Sequence, residues 1–589
     1  MQPLSSHLVA GFSLLLAACQ PASTHSSSSN RAPAPQDLAP IGDWNKGAMI
    51  AAAEPRAAEA GANILRAGGS AVDAAIAAHA VLGLTEPQSS GIGGGGFMLV
   101  YTRATGEITV YDGRETAPAA IDEALFIKDG APLDFVSAWQ SGRSTGVPSI
   151  VALYGQAHAA HGRAEWRDLF AAAIELADDG FEVFPRLARF LASDQIRQAT
   201  RLDEHPVSAA YFYPDGDPLA VGTVRDNPAY AETLKAIAEE GPSGFYNHDV
   251  ARDIVAAVSA PPLPGALSID DIIDYKVEVR EPLCGAWREM TVCGAPPPAS
   301  GGVTQSMILG LYDRLLPNAD GPDTRLTAFV EAQRLTYADR DHYVADPDHV
   351  YVPAAELIAP AYLNVRALQH GRPDGAVGPG DPGAALGIGN MIDMWGRDQT
   401  EDMPGTTHIS VIDHNGNAVS MTATVESPFG SARMVNGFLL NNQLTDFAFQ
   451  PDKQGQSVAN AAGPLKRPRS SMSPTLMFGD NDDLLLVVGS PGGSSIIAYV
   501  AKTILGVLDW GMSPSEAVEY PNIVARGAFV RVETGKQGGS EAVVALRETG
   551  FDVQERQGEN SGLHVILVND DGLVGAADSR REGVAIGIQ

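Results

Sequence analysis

The sequence predicts an α+β fold in which two antiparallel sheets are stacked face to face and covered by helices, a four-layer α/β/β/α sandwich. Two observations predict it. Pairs of apolar strands joined by short turns occur toward both ends of the 589-residue chain, as antiparallel sheets require. Helical patterns lie between these pairs, so each sheet is expected to be covered on its outer side. With 44% apolar and 19% charged residues, the chain has the composition of a globular protein.

The first predicted elements are two helices. Residues 55–67 have a helical pattern that ends at the glycine pair 68–69. Ser70 and Asp73 form a capping-box start for a second helix, which extends to about Leu84. A pair of strands follows, 97–101 and 108–111, joined across Thr105 and Gly106.

The middle of the chain is predicted to be mainly helical, over 150–280 and over 303–345, and neither segment contains a recognisable catalytic motif. Farther on, the strand patterns 407–413 and 418–425 flank Asn-Gly at 415–416. That pair predicts a hairpin with a type I′ turn, because both central positions of such a turn need positive φ. Two more hairpins and two helices follow, with strands at 476–478, 484–488, 565–568 and 573–575 and helices at 494–508 and 541–549.

The N-terminal region predicts export. The apolar run 8–16 is too short to span a bilayer but fits the hydrophobic region of an export signal. The tetrad Leu-Ala-Ala-Cys that ends at Cys19 resembles a bacterial lipobox, in which the cysteine is lipidated, and Gln20 behind it resembles outer-membrane sorting. No Lys or Arg precedes the run, so the true start of the protein is expected upstream of residue 1. A plain secretory signal and a chance match are the alternatives to a lipobox. We expect a signal peptide over 1–19, a flexible tether over 20–40 and a periplasmic protein anchored to the outer membrane.

Two cysteines remain, Cys284 and Cys293. Their spacing is compatible with facing positions on the two strands of a hairpin that turns near Arg288 and Glu289. In an oxidising periplasm these cysteines would form a disulfide. Two separate buried thiols are the alternative.

Charge and histidine placement exclude several function classes. A formal net charge of -31 without a basic stripe argues against nucleic-acid binding. The glycine run 91–96 fits G-x-G-x-x-G, but a predicted strand follows it where a dinucleotide site needs a helix. The thirteen histidines are scattered, and neither His408 nor His414 has a partner at metal-ligand spacing, so His408 is expected to be structural. We expect a small-molecule substrate and no cofactor or metal.

The strongest catalytic signal is Thr406, which directly follows Gly405. An internal threonine hydroxyl is a poor nucleophile, but cleavage between these residues would give Thr406 a free α-amine that can act as its general base. If the flanking strands pair across 415–416, Thr424 comes within about one residue of facing Thr406, since cross-strand neighbours lie about 5 Å apart. Its hydroxyl would then orient the nucleophile. The alternative is that Thr422 and Thr424 are only β-branched strand formers.

Attack on a carbonyl also needs hydrogen-bond donors for the oxyanion. The segment 490–494, Ser-Pro-Gly-Gly-Ser, leaves a predicted strand and enters a predicted helix. Gly492 and Gly493 allow the backbone to aim its N–H groups at a ligand. Losing one such donor typically costs about 3 to 4 kcal/mol in the transition state. The alternative is a simple turn.

Several blocks of the sequence resemble one known family. Gly-Thr-Thr-His-Ile-Ser at 405–410, followed by 413–420 and by Phe429-Gly430, is similar to the signature of the gamma-glutamyltransferases, which are N-terminal-nucleophile hydrolases. Further blocks match motifs of this family in order, at 90–97, 112–115, 296–302, 440–443, 467–475 and 489–493. The resemblance extends from about residue 45 to the C-terminus.

The resemblance implies the sandwich of the N-terminal-nucleophile hydrolases and self-cleavage between Gly405 and Thr406. Thr406 would attack the Gly405 carbonyl and release a large subunit, 41–405, and a small subunit, 406–589, that stay associated. In the mature enzyme Thr406 would take the γ-glutamyl group of glutathione or a γ-glutamyl peptide as an ester. It would then pass this group to water or to an amino acid.

The resemblance also implies how the substrate is bound. Arg114, Ser470 and Ser471 match family residues that hold the substrate α-carboxylate, which a guanidinium fits with two hydrogen bonds. Gln443 and Asp446 match the family residues that hold the α-ammonium. Gly492 and Gly493 match the oxyanion hole.

Two departures from the family bear on the substrate. Glu426 stands where well-known members have an Asn that helps to bind the ammonium, so Glu426 is expected either to bind it more strongly or to indicate another donor. The segment 447–465 is shorter than the family's lid loop and contains no Tyr. This predicts a more open pocket, which favours bulkier donors or hydrolysis over transfer.

Two other functions fit parts of the pattern. An acylase of the same superfamily that removes glutaryl-type side chains, as cephalosporin acylases do, would be processed identically. Its substrate has no ammonium, so Gln443, Asp446 and Glu426 would be left without a cation. The other is a binding lipoprotein that keeps the fold without catalysis, which failure of the chain to cleave itself would favour.

Overall fold

The computed structural model describes residues 44–319, 321–370, 375–398, 400, 403, 405–453 and 455–589. The predicted signal peptide over 1–19 with Cys19, and the tether over 20–40, lie outside the described residues. Within the described residues, no helix combines the length and the apolar character needed to cross a membrane.

Two antiparallel sheets form the centre of the described chain. Their strands are β1 Ala48–Ala52, β2 Gly95–Thr102, β3 Glu107–Gly113, β4 Glu278–Arg280, β5 Leu283–Trp287, β6 Met290–Gly294, β7 Gly405–Ile412, β8 Ala418–Glu426, β9 Thr475–Phe478, β10 Leu484–Gly489, β11 His564–Asn569, β12 Gly572–Ala577 and β13 Val584–Ile588. The first sheet has the order β13-β1-β7-β8-β2-β3-β4, and the second has the order β12-β11-β10-β9-β6-β5.

Helices cover the outer faces of both sheets. The longer ones are α1 Pro55–Arg66, α2 Ala71–Thr85, α3 Ile150–His161, α4 Ala171–Asp179, α5 Pro228–Glu240, α6 His248–Val258, α7 Gly301–Leu315, α8 Thr324–Tyr343, α9 Pro360–Ala367, α10 Ile496–Leu508 and α11 Gly539–Glu548. Shorter helices are Phe135–Trp139, Pro185–Leu191, Asp194–Thr200, Pro206–Phe212, Ile269–Ile273, Ala354–Ile358, Pro382–Leu386 and Pro514–Glu519. Small sheets use Ile127–Lys128, Ala131–Pro132, Phe181–Glu182, Val224–Arg225, Met434–Val435, Phe438–Leu439, Asp452–Lys453, Gln456–Ser457, Ile523–Val524, Val530–Glu533 and Val553–Arg556.

Strand β2 shows how the layers are held together. Phe97 and Leu99 belong to a core that runs through the second sheet to helices α7, α8 and α10. Met98 and Val100 belong to a separate core under helices α1, α2 and α3. Because successive side chains of a strand point to opposite faces, the first sheet is apolar on both sides. The predicted four-layer α/β/β/α sandwich is confirmed.

Most local predictions are confirmed as well. The Ser70 hydroxyl accepts from the Asp73 N–H over 3.2 Å and the Asp73 carboxylate accepts from the Ser70 N–H over 2.8 Å, which is the predicted capping box. All four predicted hairpins are present, as are the helices predicted at 494–508 and 541–549, with ends shifted by one or two residues.

The predicted type I′ turn at 415–416 is wrong. Only Gly416 of the two residues has a positive φ, +77°, and the loop between β7 and β8 has five residues. The Asp413 carboxylate accepts from the N–H groups of Asn415 and Asn417 over 2.8 and 3.1 Å. This side chain satisfies the loop backbone, so a two-residue turn is not needed to close the hairpin.

The two strands at one side of the first sheet, β13 at the edge and β1 beside it, were not predicted. β1 pairs with β7 on one side and with β13 on the other, so the strand that begins at Gly405 lies inside the sheet. The sequence of β1, Ala-Met-Ile-Ala-Ala, has a single β-branched residue and gives little strand signal.

In the second sheet, Cys284 and Cys293 face each other on β5 and β6 and form a disulfide.

Candidate active site

Two threonine hydroxyls meet where β7 begins and β8 ends. Thr406 pairs with Thr424, and the register shifts between Gly405 and Thr406. The Thr406 hydroxyl donates to the Thr424 hydroxyl over 3.2 Å, and the Thr424 hydroxyl donates to the Gly405 carbonyl. The two hydroxyls therefore form a short chain that ends on the carbonyl before Thr406.

This geometry belongs to the uncut chain, because Gly405 and Thr406 are consecutive residues of β7. A hydroxyl that donates to the Gly405 carbonyl polarises it toward nucleophilic attack. The Thr406 side chain is attached to the adjacent residue and is only 4% exposed. The arrangement can support attack of Thr406 on the peptide bond that precedes it.

A small pocket of about 20 Å³ opens beside the two threonines. It is lined by Arg114, Met403, Thr406, Thr424, Glu426, Gln443, Asp446, Ser470, Ser471, Met472, Gly493 and Ile496. All the residues that the sequence assigns to catalysis or substrate binding are in this set except Gly492, which immediately precedes Gly493. No described residue of 447–465 lines the pocket.

Arg114 and Asp446 form a buried ion pair at one side of the pocket. One Arg114 Nη2–H donates to Asp446 Oδ2 over 2.5 Å, and the same nitrogen donates to the Arg469 carbonyl over 2.7 Å. Gln443 Nε2 also donates to Asp446 Oδ2, over 2.7 Å. The predicted carboxylate-binding and ammonium-binding groups therefore contact each other directly.

Glu426 adds a second carboxyl to this charged side. It is 3% exposed and has a φ of +80°, which is unusual for a residue with a Cβ. Glu426 Oε2 accepts from Asn442 Nδ2 over 2.5 Å and from the Ser427 hydroxyl, while Oε1 accepts from the Met403 N–H over 3.2 Å. Burial, followed by the negative charge of Asp446, raises the pKa of Glu426 well above its ordinary value.

Arg340, which the sequence did not single out, supports the two serines of the pocket. Its Nη2 donates to the Ser471 hydroxyl over 2.5 Å and its Nε donates to the Ser300 hydroxyl over 3.0 Å. Ser300 in turn donates to the Ser470 carbonyl through both its N–H and its hydroxyl, over 2.8 and 2.6 Å. Ser300, in the block 296–302, does not line the pocket itself but helps to position Ser470, which does.

The Gly492-Gly493 turn lies between β10 and α10. Gly492 has a φ of +139° and Gly493 a φ of +58°, values that favour glycine at both positions. A Cβ added to Gly492 would lie 2.5 Å from Cε2 of Tyr499. Within the described part of the chain, neither glycine N–H donates a hydrogen bond to another group. Two backbone donors next to the pocket are thus available to a ligand.

Arg581 is a second residue that the sequence did not indicate. Its Nη1 donates to the Thr406 carbonyl over 2.8 Å and its Nε donates to the Ser561 carbonyl over 3.3 Å. Burial lowers the pKa of Arg581 to about 9, and Glu86 lies 3.7 Å away. Arg581 occurs in no recognisable motif, so only the tertiary structure relates it to Thr406.

The glycine run 91–96 lies against the strand that carries Thr424. A Cβ at Gly94 would lie 2.0 Å from the Thr424 carbonyl, and one at Gly93 would lie 2.0 Å from the Leu439 carbonyl. Helix α2 precedes the run and strand β2 follows it, as predicted, whereas a dinucleotide-binding fingerprint has a strand before and a helix after. These glycines instead allow close approach of the backbone to β8.

His408 is buried among hydroxyls. Its ring nitrogens lie 2.8 Å from Thr422 Oγ1 and 3.0 Å from Ser410 Oγ, and burial lowers its pKa well below the ordinary value. Among the described residues, no group of three or more His, Cys, Asp or Glu is arranged to hold a metal ion. A larger surface cavity of about 510 Å³, near Arg197 and Tyr213, contains none of the predicted site residues.

Known proteins are similar in sequence to this chain over most of its length. The family model described as gamma-glutamyltranspeptidase matches residues 57–588. The chain is 34% identical over 560 residues to a glutathione hydrolase proenzyme of Bacillus subtilis (strain 168), covering 93% of this chain and 92% of that protein. It is 32% identical over 548 residues to a glutathione hydrolase proenzyme of Escherichia coli (strain K12), covering 91% and 90%.

Acylases are also among the similar proteins. The chain is 31% identical over 559 residues to the acylase ACY 1 proenzyme of Pseudomonas sp. (strain SE83), covering 92% of this chain and 93% of that protein. The crystal structure of a cephalosporin acylase from Bacillus halodurans superimposes with a TM-score of 0.78 at 24% identity, covering 94% of this chain and 99% of that one. At that identity, the superposition demonstrates a shared fold only.

Proposed function

The chain belongs to the gamma-glutamyltranspeptidase family, and we propose that it is a self-processing enzyme that cleaves the γ-glutamyl amide of glutathione or of γ-glutamyl peptides. It passes the γ-glutamyl group to water or to an amino acid or peptide. One observation supports the proposal most strongly: the two threonine hydroxyls line the same pocket as a buried ion pair. Arg114 is the cation of this pair and Asp446 is the anion, and the Glu426 carboxyl lines the pocket as well.

Maturation begins with attack of the Thr406 hydroxyl on the Gly405 carbonyl, which converts the peptide bond into an ester. The C–N bond between Gly405 and Thr406 breaks in this step, so the α-amine of Thr406 becomes free. Water then hydrolyses the ester and releases the Gly405 carboxylate and the Thr406 hydroxyl. The products are the large subunit, 41–405, and the small subunit, 406–589, of 184 residues. They stay together because β1 and β2 of the large subunit flank β7 and β8 of the small one within one sheet.

In the mature enzyme the α-amine of Thr406 takes the proton of its own hydroxyl as that hydroxyl attacks the γ-glutamyl carbonyl. The N–H groups of Gly492 and Gly493 stabilise the resulting oxyanion. The amine proton then goes to the leaving nitrogen, which departs with the rest of the donor. Water or an amine nucleophile attacks the ester in the same way and releases the γ-glutamyl product.

Donor binding uses the charged side of the pocket. Arg114, Ser470 and Ser471 bind the α-carboxylate, and Gln443, Asp446 and Glu426 bind the α-ammonium. A zwitterionic donor gives both members of the Arg114–Asp446 pair a new partner, so its binding leaves no buried charge unpaired. Above its raised pKa the Glu426 carboxyl is ionised and makes this site more negative than a neutral amide would, which favours donors with a full positive charge at the α position.

The test compares nitroaniline release from L-γ-glutamyl and glutaryl para-nitroanilide, which differ only in the α-ammonium. Purified mature enzyme is expected to prefer the γ-glutamyl donor strongly, and Thr406→Ala is the blank. No release above that blank would contradict the proposed nucleophile or its processing.

A glutaryl or cephalosporin-type acylase is the second candidate, because the Pseudomonas acylase proenzyme is similar over most of both chains. It requires equal or better cleavage of the glutaryl donor in the same assay. It would also leave Asp446 and Glu426 without a cation from the substrate. A binding protein without catalysis requires that the wild-type chain remain uncut.

We also propose export and lipid anchoring through Cys19, with the enzyme on the periplasmic side of the outer membrane. The sequence of the first twenty residues supports this, and the Cys284–Cys293 disulfide fits an oxidising compartment. Expressed in a Gram-negative host, the full chain is expected in the outer-membrane fraction. Cys19→Ala is expected in the soluble periplasm, and recovery of both proteins from the cytoplasm would contradict the proposal.

A further inference from the structure

The ring of Tyr499 packs against the Gly492-Gly493 turn. Tyr499 lies in the first turn of helix α10. The ring is in van der Waals contact with the α-carbon of Gly492, because a Cβ there would lie 2.5 Å from Cε2 and 3.1 Å from Cδ2. Tyr499 is 1% exposed. Two consecutive glycines have little intrinsic conformational preference, so the position of their N–H groups depends on such external contacts.

Glu559 connects this ring to the next residues of the turn. The Tyr499 hydroxyl donates to Glu559 Oε2 over 2.5 Å. Arg531 Nε donates to Glu559 Oε1 over 2.6 Å, and Arg531 Nη2 donates to Glu559 Oε2 over 3.2 Å. The Glu559 side chain is only 8% exposed, so these charge-assisted hydrogen bonds are little weakened by solvent.

Arg531 connects Glu559 to the residues that follow the glycine pair. Its Nη2 also donates to the Ser495 hydroxyl over 2.6 Å, two residues after Gly493. The Ser494 carbonyl accepts from the Tyr337 hydroxyl over 2.6 Å. The turn is thus fixed at Gly492 by packing and at its following residues by hydrogen bonds, and Glu559 orients both Tyr499 and Arg531.

We propose that Tyr499, Glu559 and Arg531 are positioning residues that hold the Gly492-Gly493 N–H groups in the orientation that the oxyanion needs. The inference rests on the proposed function, since it requires that these N–H groups stabilise a tetrahedral intermediate. None of the three side chains lines the pocket. Their loss therefore weakens binding of the transition state and leaves binding of the ground-state donor unchanged.

Tyr499→Phe and Glu559→Gln test the proposal. Each keeps the shape of the side chain and removes either the hydroxyl or the charge that connects the network. We expect kcat for L-γ-glutamyl para-nitroanilide to fall about 10-fold, less than the ~10²–10³-fold typical for losing an oxyanion donor itself. KM is expected to stay within about twofold of wild type, because the donor-binding groups are untouched.

The matched control is Tyr362→Phe. Tyr362 is buried, and its hydroxyl donates to Asp339 Oδ2 over 2.6 Å, while Arg366 Nε donates to the same oxygen over 3.1 Å. This is the same combination of Tyr, carboxylate and Arg, located between α9 and α8, and none of the three residues lines the pocket. Tyr362→Phe is expected to retain wild-type kcat even if it lowers the melting temperature.

A second readout separates positioning from a general loss of structure. A glutamate analogue with a boronic acid at the γ position forms a tetrahedral, anionic adduct with Thr406. Its affinity is expected to fall in Tyr499→Phe and Glu559→Gln by about the same factor as kcat. A merely structural defect would instead lower the active fraction and leave the affinity of that fraction unchanged.

The outcomes are distinguishable. A wild-type enzyme that releases no nitroaniline contradicts the proposed function. An active wild type with Tyr499→Phe at wild-type kcat and boronate affinity overturns the positioning role, as does an equal loss of kcat in Tyr362→Phe. If Glu559→Gln remains uncut, the more conservative Tyr499→Phe decides the question by itself.

Discussion

The two ends of the pocket are built differently. At the nucleophile end, Thr406 and Thr424 are uncharged hydroxyls on neighbouring strands of one sheet, positioned by the pairing of β7 with β8. At the charged end, Arg114 pairs with Asp446 across 332 residues of sequence, and Glu426 lies close enough for the Asp446 charge to raise its pKa. Changes at the first end should therefore affect the reaction itself, and changes at the second should affect which donor binds and at what pH.

The largest effect is expected at the nucleophile end, from Thr406→Ala. Without the hydroxyl neither self-cleavage nor acyl transfer can occur, so activity is expected to fall by at least about 10⁴-fold. Denaturing electrophoresis should show one uncut chain, and Thr406→Ser, which keeps a hydroxyl, should still give two subunits. Two subunits from Thr406→Ala would mean that another residue cuts the chain.

At the charged end, Asp446→Asn is expected to raise KM for L-γ-glutamyl para-nitroanilide about 100-fold with a smaller change in kcat. The substitution removes the carboxylate that binds the ammonium and breaks the shorter of the two ion pairs of Arg114, since Glu115 lies 3.9 Å away. Such a loss costs about 2 to 5 kcal/mol for buried pairs. Asp348→Asn, which removes a more exposed partner of Arg280, should leave KM unchanged. A large fall in kcat at constant KM would contradict the division between the two ends.

Glu426→Gln is expected to change the pH dependence of KM. Burial and the Asp446 charge raise the pKa of Glu426, so its carboxyl is neutral below that raised pKa and charged only above it. Ammonium binding needs the charge, so the wild-type KM should fall as the pH rises through the raised pKa. In Glu426→Gln this fall, expected to be about tenfold for one charge-assisted hydrogen bond, should be absent. An unchanged KM profile in the variant would show that Glu426 does not contact the ammonium.

The smallest effect on catalysis is expected outside both ends, at the disulfide of the β5–β6 hairpin, whose cysteines do not line the pocket. Replacing Cys284 and Cys293 by Ser opens a loop with a sequence separation of 9. Loss of such a loop closure should lower the free energy of unfolding by about 2 to 3 kcal/mol, measured by urea denaturation. The kcat and KM should stay at wild-type values, and a changed KM would mean that this hairpin affects the pocket.

The nucleophile end was predictable because it depends on local structure. An Asn-Gly pair indicated a hairpin, and hairpin pairing brought Thr424 opposite Thr406. The turn type was wrong because the Asp413 side chain satisfies a longer loop, but the longer loop did not change which residues face each other near Thr406.

The charged end and its supports needed more than local patterns. Arg114, Asp446 and Ser470 were identified by their match to family motifs, and no periodicity indicates that Arg114 and Asp446 are in contact. Arg340 and Arg581 contact Ser471 and Thr406 across 131 and 175 residues of sequence, and neither stood out in the sequence. Such contacts depend on how the layers pack, which sequence periodicity does not specify.

The most direct test of the account is intact mass spectrometry of the small subunit after brief mixing with L-γ-glutamyl para-nitroanilide and quenching in acid. We predict a small subunit that begins at Thr406 and carries one γ-glutamyl group, located on Thr406 by fragmentation. Nitroaniline release with the γ-glutamyl group on another residue would contradict the account, as would a small subunit that begins elsewhere.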